Sequence, residues 1–195
     1  MDRAIRQIDK IKAIWEEHVA VAKALPALAA EVSSAVDTIY SSLVAGGLLL
    51  VAGNGGSAAD AQHIAAEFTG RFLRDRRPLR AMALHVNTSS LTGIGNDYGY
   101  EHVFARELLA HARPGDVLIV LSTSGNSPNI LRVIEAARAN KVAVIGLTGG
   151  SGGAMRTACD ICLCVPTKST PRIQEMHIMI YHAMCELLEE RLAEV

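Results

Sequence analysis

The chain has few aromatic residues and almost no net charge. Only 4% of its 195 residues are Phe, Trp or Tyr, and the formal net charge at pH 7 is −1. This balance excludes the basic field by which nucleic-acid-binding domains attract a phosphate backbone. Because half of the residues are nonetheless hydrophobic, the core must consist mainly of aliphatic side chains. That composition favours helices packed on a parallel sheet, in a chain of one-domain size.

Long apolar runs are also missing from the sequence. No uninterrupted run approaches the roughly 20 residues that a membrane-spanning helix needs. Residues 1–12 alternate charged and aliphatic side chains, unlike the apolar centre of a signal peptide. We therefore expect no membrane partner, no nucleic-acid partner and a location in the cytoplasm.

The four cysteines do not form a familiar metal motif. Cys159, Cys162 and Cys164 crowd one segment, and Cys185 stands alone. A zinc site is conceivable there, but the spacing does not fit paired CxxC knuckles and the chain has no second cluster. Alternation of Cys162 and Cys164 with apolar residues is typical of a buried strand. We expect reduced, inert thiols in the core.

Residues 1–47 are predicted to form an N-terminal helical hairpin. Apolar residues recur at helical spacing over 5–15 and again over 32–44, with Pro26 between the two patterns. A pair of glycines ends the second helix. This hairpin has a broader apolar surface than one chain can cover, so we expect it to mediate oligomerisation.

Residues 48–195 have the pattern of an α/β domain. Continuous apolar runs predict strands that are covered on both faces, and helical segments separate most of them. This alternation predicts a doubly wound, five-stranded parallel sheet, in which ligands bind beyond the carboxyl ends of the strands. The predicted strands are 48–52, 81–84, 117–121, 142–147 and 161–165, and the predicted helices are 58–73, 100–111, 128–140, 152–158 and 172–192.

A glycine-rich loop follows the first predicted strand and opens a helix. Its sequence is Gly53-Asn54-Gly55-Gly56-Ser57. Glycines let the backbone approach an anion closely, and a helix N-terminus favours negative charge. Ser57 and Asp60 resemble a capping box. A dinucleotide site is an alternative, but the second strand ends without a carboxylate for a ribose and no Walker lysine is present. A purely structural turn stays open.

A serine-rich loop follows the third predicted strand. Its sequence is Ser122-Thr123-Ser124-Gly125-Asn126-Ser127-Pro128. Ser127 suits the N-cap of the next helix and Pro128 its first position. The hydroxyls and amides can bind a phosphate without help from lysine or arginine. Ser and Asn are also good turn formers, but two such loops at strand ends favour a phosphate site.

Two helices carry candidate catalytic and metal-binding side chains. His63 and Glu67 are four residues apart and share one helix face, within two turns of the glycine loop. Gln174 and His182 are eight residues apart on the last helix, so they align only loosely. Nitrogen and oxygen donors from two helices would suit a zinc ion. By spacing alone, structural roles for both histidines stay open.

These motifs together resemble the SIS (sugar isomerase) family, and most closely its phosphoheptose isomerases. The serine loop marks the broad family, whereas the His63/Glu67 and Gln174/His182 pairs are more specific. The resemblance covers almost the whole chain and includes Thr69-Gly70-Arg71, Gly95-Asn96-Asp97, Leu147-Thr148-Gly149 and Arg172-Ile173-Gln174-Glu175.

The resemblance implies a flavodoxin-like SIS fold and a homotetramer. It also implies a ketose–aldose isomerase that converts sedoheptulose 7-phosphate to D-glycero-D-manno-heptose 7-phosphate, through an enediol, for lipopolysaccharide or another surface glycan. Glu67 would be the base and His182 its acid partner. The implied substrate-binding residues are Asn54, Gly55, Gly56, Ser57, Glu67, Arg71, Asn96, Asp97, Ser122, Thr123, Ser124, Ser127 and Gln174.

The resemblance further implies one Zn²⁺ per subunit. Its ligands would be His63, Glu67, Gln174 and His182, and the cation would polarise the substrate carbonyl. Tight coordination would weaken Glu67 as a base, so the zinc is either loosely held by Glu67 or partly structural. Pro171 stands where some heptose isomerases have an acidic residue, which removes any contact of that carboxylate.

Two rival functions remain open. A related SIS protein is a tetrameric adapter that binds the bacterial replication initiator DnaA, and residues 22–28 and 172–177 resemble it too. That adapter lacks counterparts of Glu67 and His182, so their presence favours the enzyme. A sugar-phosphate sensor without turnover is the third possibility.

Overall fold

A computed structural model describes residues 2–192, which form a doubly wound α/β fold. All five strands are parallel, in the order β2-β1-β3-β4-β5, as the sequence predicts. The strands are β1 Leu49–Gly53, β2 Ala81–Ala83, β3 Val117–Leu121, β4 Ala143–Gly149 and β5 Ile161–Val165. The helices are α1 Asp2–Ala24, α2 Ala29–Val44, α3 Gly56–Thr69, α4 Thr88–Tyr98, α5 Val103–His111, α6 Pro128–Ala139, α7 Met155–Ala158 and α8 Thr170–Leu192, with 3₁₀ turns at Leu25–Leu28 and Tyr100–His102.

Each strand is apolar along its length because both faces of the sheet are covered. In β1, Leu49 and Val51 face a core shared with α2, α3 and α8, whereas Leu50 and Ala52 face a second core shared with α5 and α6. Successive strand residues point to opposite faces, so burial on both sides requires a continuous apolar run.

The strand order places the chain reversal between β1 and β3. The chain leaves β1 for β2 on one side and returns to β3 on the other. In doubly wound sheets a crevice opens at this reversal, beyond the carboxyl ends of the strands. The loops after β1 and β3 therefore lie at the two sides of one crevice.

The N-terminal helices are consecutive segments of one long helix, and the predicted hairpin is wrong. Arg172, near the start of α8, donates to the Ile14 carbonyl over 2.8 Å, and Arg191, near its end, donates to Asp37 over 2.6 Å. The N-terminal segments therefore run alongside α8 in the same direction. The backbone is helical on both sides of Pro26, with φ and ψ of −89° and −14° at Ala24 and of −59° and −36° at Ala29, so the chain does not reverse.

This N-terminal stretch is more apolar than its short uninterrupted runs suggest. Within the helix Arg3–Val44, one 18-residue stretch has a mean hydropathy of 1.5. By length and composition the helix would suit a membrane span, and 17% of that stretch is buried. The sequence prediction missed this feature. It is weak evidence for a membrane, because helices of soluble proteins and signal sequences meet the same criterion.

Helix α4 was not predicted from the sequence. Its two internal glycines lower helix propensity, so the segment resembles a loop. The Asn87 side chain nevertheless accepts the Ser90 N–H over 3.1 Å and caps the helix N-terminus. The other predicted helices and strands agree with the structure apart from shifts at their ends.

The cysteines are free thiols, in part as predicted. Cys164 and Cys185 are buried, whereas Cys159 and Cys162 are half-buried. Burial, with a smaller contribution from Glu67, raises the pKa of Cys185 to about 12. Such a thiol stays protonated near neutral pH and is a poor nucleophile.

Candidate active site

The glycine and serine loops lie side by side at the carboxyl edge of the sheet. Nδ2 of Asn54 donates to Oδ1 of Asn129 over 2.9 Å, and Nδ2 of Asn129 donates back over 2.8 Å. Asn129 was not predicted, because its polar side chain has meaning only once the two loops meet. A cavity of about 390 Å³ opens here, lined by Asn54, Tyr100, Glu101, Ser127, Pro128 and Asn129.

The glycine loop presents backbone rather than side-chain caps. Gly55 has a φ of +56°, which residues with a Cβ rarely adopt, and it occupies the N-cap of α3 without a side-chain hydrogen bond. The predicted capping box of Ser57 and Asp60 is therefore wrong. The Ser57 N–H is already bonded to the Asn54 carbonyl over 3.0 Å, and the Ser57 side chain is buried.

The serine loop gathers three hydroxyls at the start of α6. Oγ of Ser122 lies 3.0 Å from Oγ of Ser127 and 3.5 Å from Oγ of Ser124. Ser127 is the N-cap and Pro128 occupies the first turn, as predicted. Gly125 has a φ of +66°, and a Cβ there would collide with the Gly152 carbonyl oxygen. Clustered hydroxyls at the N-terminus of a 12-residue helix suit an anion.

A second, smaller cavity opens on the other side of the serine loop. It has a volume of about 210 Å³ and contains the exposed Lys168, a cation that was not predicted at this loop. The Lys168 side chain packs near Gly150, in the loop after β4. The lining residues are Thr123, Ser124, Gly149, Gly150, Ser151 and Lys168.

Helices α3 and α8 pack side by side in the same direction. At their first turns, a Cβ on Gly56 would lie 2.6 Å from Nε2 of Gln174. Two turns further on, Nδ1 of His63 lies 2.9 Å from the Tyr181 hydroxyl. The same offset of 118 residues relates both pairs, so the register persists along the contact. This pairing brings the two predicted helix faces together.

The helix pairing assembles three of the predicted catalytic and metal-binding residues. Nε2 of His63 lies 2.9 Å from Oε1 of Glu67, and the His63 and His182 rings meet edge-on with centroids 5.1 Å apart. One potential ligand atom from each of His63, Glu67 and His182 lies within 4.8 Å of the others. Burial and then His63 lower the pKa of His182, although Glu67 opposes them. His182 is therefore neutral near pH 7.

The donor set of this cluster fits a zinc ion. Two imidazole nitrogens and a carboxylate oxygen are the donors of zinc sites that keep a position open for substrate. Nε2 of His182 is buried and has no hydrogen-bond partner in the part of the chain that the structure describes. A cation at the cluster would supply the missing partner.

Gln174 is not brought to this cluster within the chain. Eight residues along a helix separate it from His182 by about 12 Å. Its amide lies instead beside Gly56, at the glycine loop. Gln174 is thus placed for contact with a ligand of that loop, and its role as a zinc ligand stays a prediction.

The remaining predicted substrate residues are exposed. Asn96 and Asp97 lie near the end of α4, and Nδ2 of Asn96 donates to Oδ1 of Asp97 over 2.8 Å. Arg71 lies just beyond α3. All three are accessible to a ligand, and their contacts with substrate stay predictions.

Two further histidines, outside the cluster, have defined partners. His177 is fully buried and its Nε2 lies 3.3 Å from the Thr148 carbonyl. Burial lowers the pKa of His177 to about 4, despite that hydrogen bond, so it is a neutral core residue. Nδ1 of His18 lies 2.7 Å from Oε2 of Glu175, which ties α1 to α8.

Comparison with known proteins agrees with this fold. Residues 14–149 match the SIS domain family. The phosphoheptose isomerase of Rhodospirillum rubrum is 56% identical over 161 residues, which is 83% of this chain and 86% of the relative. That of Helicobacter hepaticus is 47% identical over 184 residues, or 94% of each chain.

A solved structure agrees with these sequence relatives. Phosphoheptose isomerase GmhA from Neisseria gonorrhoeae superposes with a TM-score of 0.90 at 41% sequence identity, covering 94% of this chain and 99% of that one. The chain therefore belongs to the SIS domain family and, within it, to the phosphoheptose isomerases.

Proposed function

We propose that this isomerase converts sedoheptulose 7-phosphate to D-glycero-D-manno-heptose 7-phosphate, for a heptose-containing surface glycan such as lipopolysaccharide. The observation that carries the proposal is the cluster of His63, Glu67 and His182, with potential ligand atoms within 4.8 Å of one another. A ketose–aldose isomerisation needs a base at carbon and a proton carrier at oxygen, and Glu67 and His182 supply this pair.

The phosphate of the substrate is assigned to the serine loop. Ser122, Ser124 and Ser127 offer hydroxyls at the N-terminus of α6, and the Asn54–Asn129 pair holds the glycine loop beside them. A phosphate monoester accepts hydrogen bonds from such groups without a bidentate arginine. Gln174, beside Gly56, is placed to contact the sugar part of the substrate.

In the proposed reaction, Glu67 takes a proton from C1 of the ketose. The electrons of that C–H bond form the C1–C2 double bond, those of the C2 carbonyl move to O2, and O2 takes the proton that O1 gives up, so the enediol intermediate carries its negative charge on O1. Glu67, after exchange of its proton with solvent, then delivers a proton to C2 while O1 forms the carbonyl at C1. His182 carries the hydroxyl proton from O1 to O2, and a neutral imidazole is the form able to accept it.

We propose that His63, Glu67 and His182 hold one Zn²⁺ per subunit, with Gln174 as a fourth candidate ligand. Bound there, the ion would polarise the substrate carbonyl and stabilise negative charge on its oxygen. Zinc removal should lower turnover, and it should also lower the melting temperature because a bound ion stabilises the folded state.

The assembly that we propose is a cytoplasmic homotetramer. Along α1, Ile8 is 52% exposed and Trp15 is 66% exposed, a degree unusual for side chains of this size in a monomer. Burial of this apolar face between subunits would remove it from water. Sedimentation equilibrium should give four times the chain mass, and a monomer at working concentration would contradict the proposal.

The presence of both Glu67 and His182 in one cluster argues against the DnaA-binding adapter. The deciding experiment is incubation of the purified protein with sedoheptulose 7-phosphate, followed by identification of the heptose product. We expect conversion. No conversion of this ketose, together with tight binding to DnaA, would transfer the assignment to the adapter, and no conversion without such binding would favour the sensor.

A further inference from the structure

Behind the His63–Glu67 pair lies a tyrosine to which the proposed reaction assigns no role. The Tyr181 hydroxyl lies 2.9 Å from Nδ1 of His63, on the side of the ring opposite to Glu67. Tyr181 is only 1% exposed, so its ring is fixed by the core. His63, by contrast, has a side chain that is 44% exposed. The exposed His63 imidazole is therefore hydrogen-bonded, at Nδ1, to the hydroxyl of a tyrosine that the core holds in place.

The tyrosine is held in turn by a carboxylate one turn earlier on α3. Asp60 is buried, and its carboxyl group interacts with the Tyr181 hydroxyl. Burial raises the pKa of Asp60, whereas His63 and Tyr181 lower it. Asp60, Tyr181, His63 and Glu67 thus form one chain of contacts from the core to the proposed catalytic cluster.

The contact with Tyr181 fixes which nitrogen of His63 faces Glu67. Tyr181 occupies Nδ1, so Nε2 is the nitrogen beside Oε1 of Glu67. A hydrogen bond at one ring nitrogen orients the other, in the way that an outer carboxylate or carbonyl orients a metal-bound histidine.

We propose that Tyr181, fixed in the core beside Asp60, is a positioning residue whose hydroxyl bonds Nδ1 of His63 and keeps Nε2 of His63 directed at Glu67. The inference rests on the proposed role of the His63, Glu67 and His182 cluster and names the part of the chain that orients it. Without the phenol oxygen, the exposed imidazole is free to rotate or flip, and Nε2 no longer has a fixed position.

The arrangement also keeps two potential zinc ligands together. Nε2 of His63 and Oε1 of Glu67 are 2.9 Å apart. Imidazole nitrogen and carboxylate oxygen are both zinc donors, so a His63 ring fixed by Tyr181 preserves a site for a cation.

The test compares wild type with Tyr181→Phe, which retains the buried ring and removes only the hydroxyl. Zn²⁺ affinity is measured by competition with a chelator, and the imidazole N–H signals of His63 are recorded by NMR with and without zinc. We expect affinity to fall about 10- to 100-fold in the variant, and the His63 imidazole signals to shift and broaden because the ring is no longer held. Tyr40→Phe is the matched control, because the Tyr40 ring lies under Arg191, 4.0 Å from its guanidinium carbon, on α2.

Asp60→Asn provides a second variant in case Tyr181→Phe does not fold. It should weaken zinc binding and change the His63 signal in the same direction. Unchanged zinc affinity and an unchanged His63 signal in the variants that fold would overturn the inference. Failure of the proposed function is seen separately, as wild-type protein that does not isomerise the substrate.

Discussion

Two glutamates on neighbouring helices border the same narrow space, yet their surroundings are opposite. Glu189 of α8 is buried and accepts the backbone N–H groups of Phe72, Leu73 and Arg74 over 3.0, 2.6 and 2.8 Å. Arg76 forms an ion pair with it at 3.1 Å. Glu67 of α3 is 20% exposed at its side chain and has His63 as its side-chain partner.

The comparison separates a structural carboxylate from a chemical one. Burial by itself would raise the pKa of Glu189, but the three N–H groups and Arg76 lower it. Glu189 is thus an ionised group whose lone pairs are occupied, and it cannot serve as a base. Glu67 has lone pairs left and lies beside His182.

The structural glutamate also supports the chemical one. Arg76, which Glu189 holds, donates to the Glu67 carbonyl over 2.6 Å and to the Phe68 carbonyl over 2.9 Å. These carbonyls lie in the last turn of α3, where a cation satisfies acceptors that lack helical partners. Glu189 therefore fixes the end of the helix on which Glu67 is carried.

The largest effect is expected for Glu67→Gln. The variant keeps the shape and removes the base, so turnover should fall about 10²- to 10⁴-fold. The free energy of unfolding should change little, because Glu67 is partly solvated. Steady-state kinetics and urea unfolding measure the two quantities, with the exposed Glu186→Gln as the matched control on α8. Full turnover in Glu67→Gln would remove its role as base.

Unlike Glu67→Gln, Glu189→Gln should lower the free energy of unfolding. Its amide cannot accept all the bonds of the carboxylate and leaves Arg76 buried without a counter-charge. We expect a loss of about 3–5 kcal/mol in the free energy of unfolding, with Glu186→Gln again unchanged. If urea unfolding gives Glu189→Gln the stability of wild type, the buried ion pair is not structural.

A smaller effect is expected at the serine loop. Ser124→Ala removes one neutral hydroxyl from the phosphate site, which costs about 1–2 kcal/mol of binding. The Michaelis constant should rise about 5- to 30-fold, while the melting temperature stays the same. Ser41→Ala, on the exposed face of α2, is the control. An unchanged Michaelis constant and turnover in Ser124→Ala would exclude Ser124 from the phosphate site.

The smallest expected effect is the change in folding stability at acidic pH. Because the folded protein lowers the pKa of Glu189 from its ordinary value of 4.5, the carboxylate stabilises the fold above that value and the contribution is lost as pH falls through the folded pKa. The stability gap between wild type and Glu189→Gln should therefore narrow below about pH 4.5. Urea unfolding over a pH series tests this, and a gap that widens in acid would contradict the assigned direction.

Features set by local sequence could be predicted, and those set by long-range packing could not. The strands and the two loops follow from apolar runs and turn residues close in sequence. The α3–α8 register joins residues 118 apart and cannot be read from local sequence. Asp60 therefore resembled a helix cap, although it interacts with Tyr181. The contacts of Asn129 and Lys168 were not predicted for the same reason. Pro26 indicated a break but not its angle, which is why the hairpin was wrong.

The most direct test of the account is isomerisation of sedoheptulose 7-phosphate in deuterated water by wild type, Glu67→Gln and Glu189→Gln. Mass spectrometry of the aldose product measures turnover and deuterium at C2 together. We expect product with deuterium at C2 from wild type and from the folded fraction of Glu189→Gln, and almost none from Glu67→Gln. Full turnover and full exchange in Glu67→Gln would contradict the central claim that Glu67 is the base.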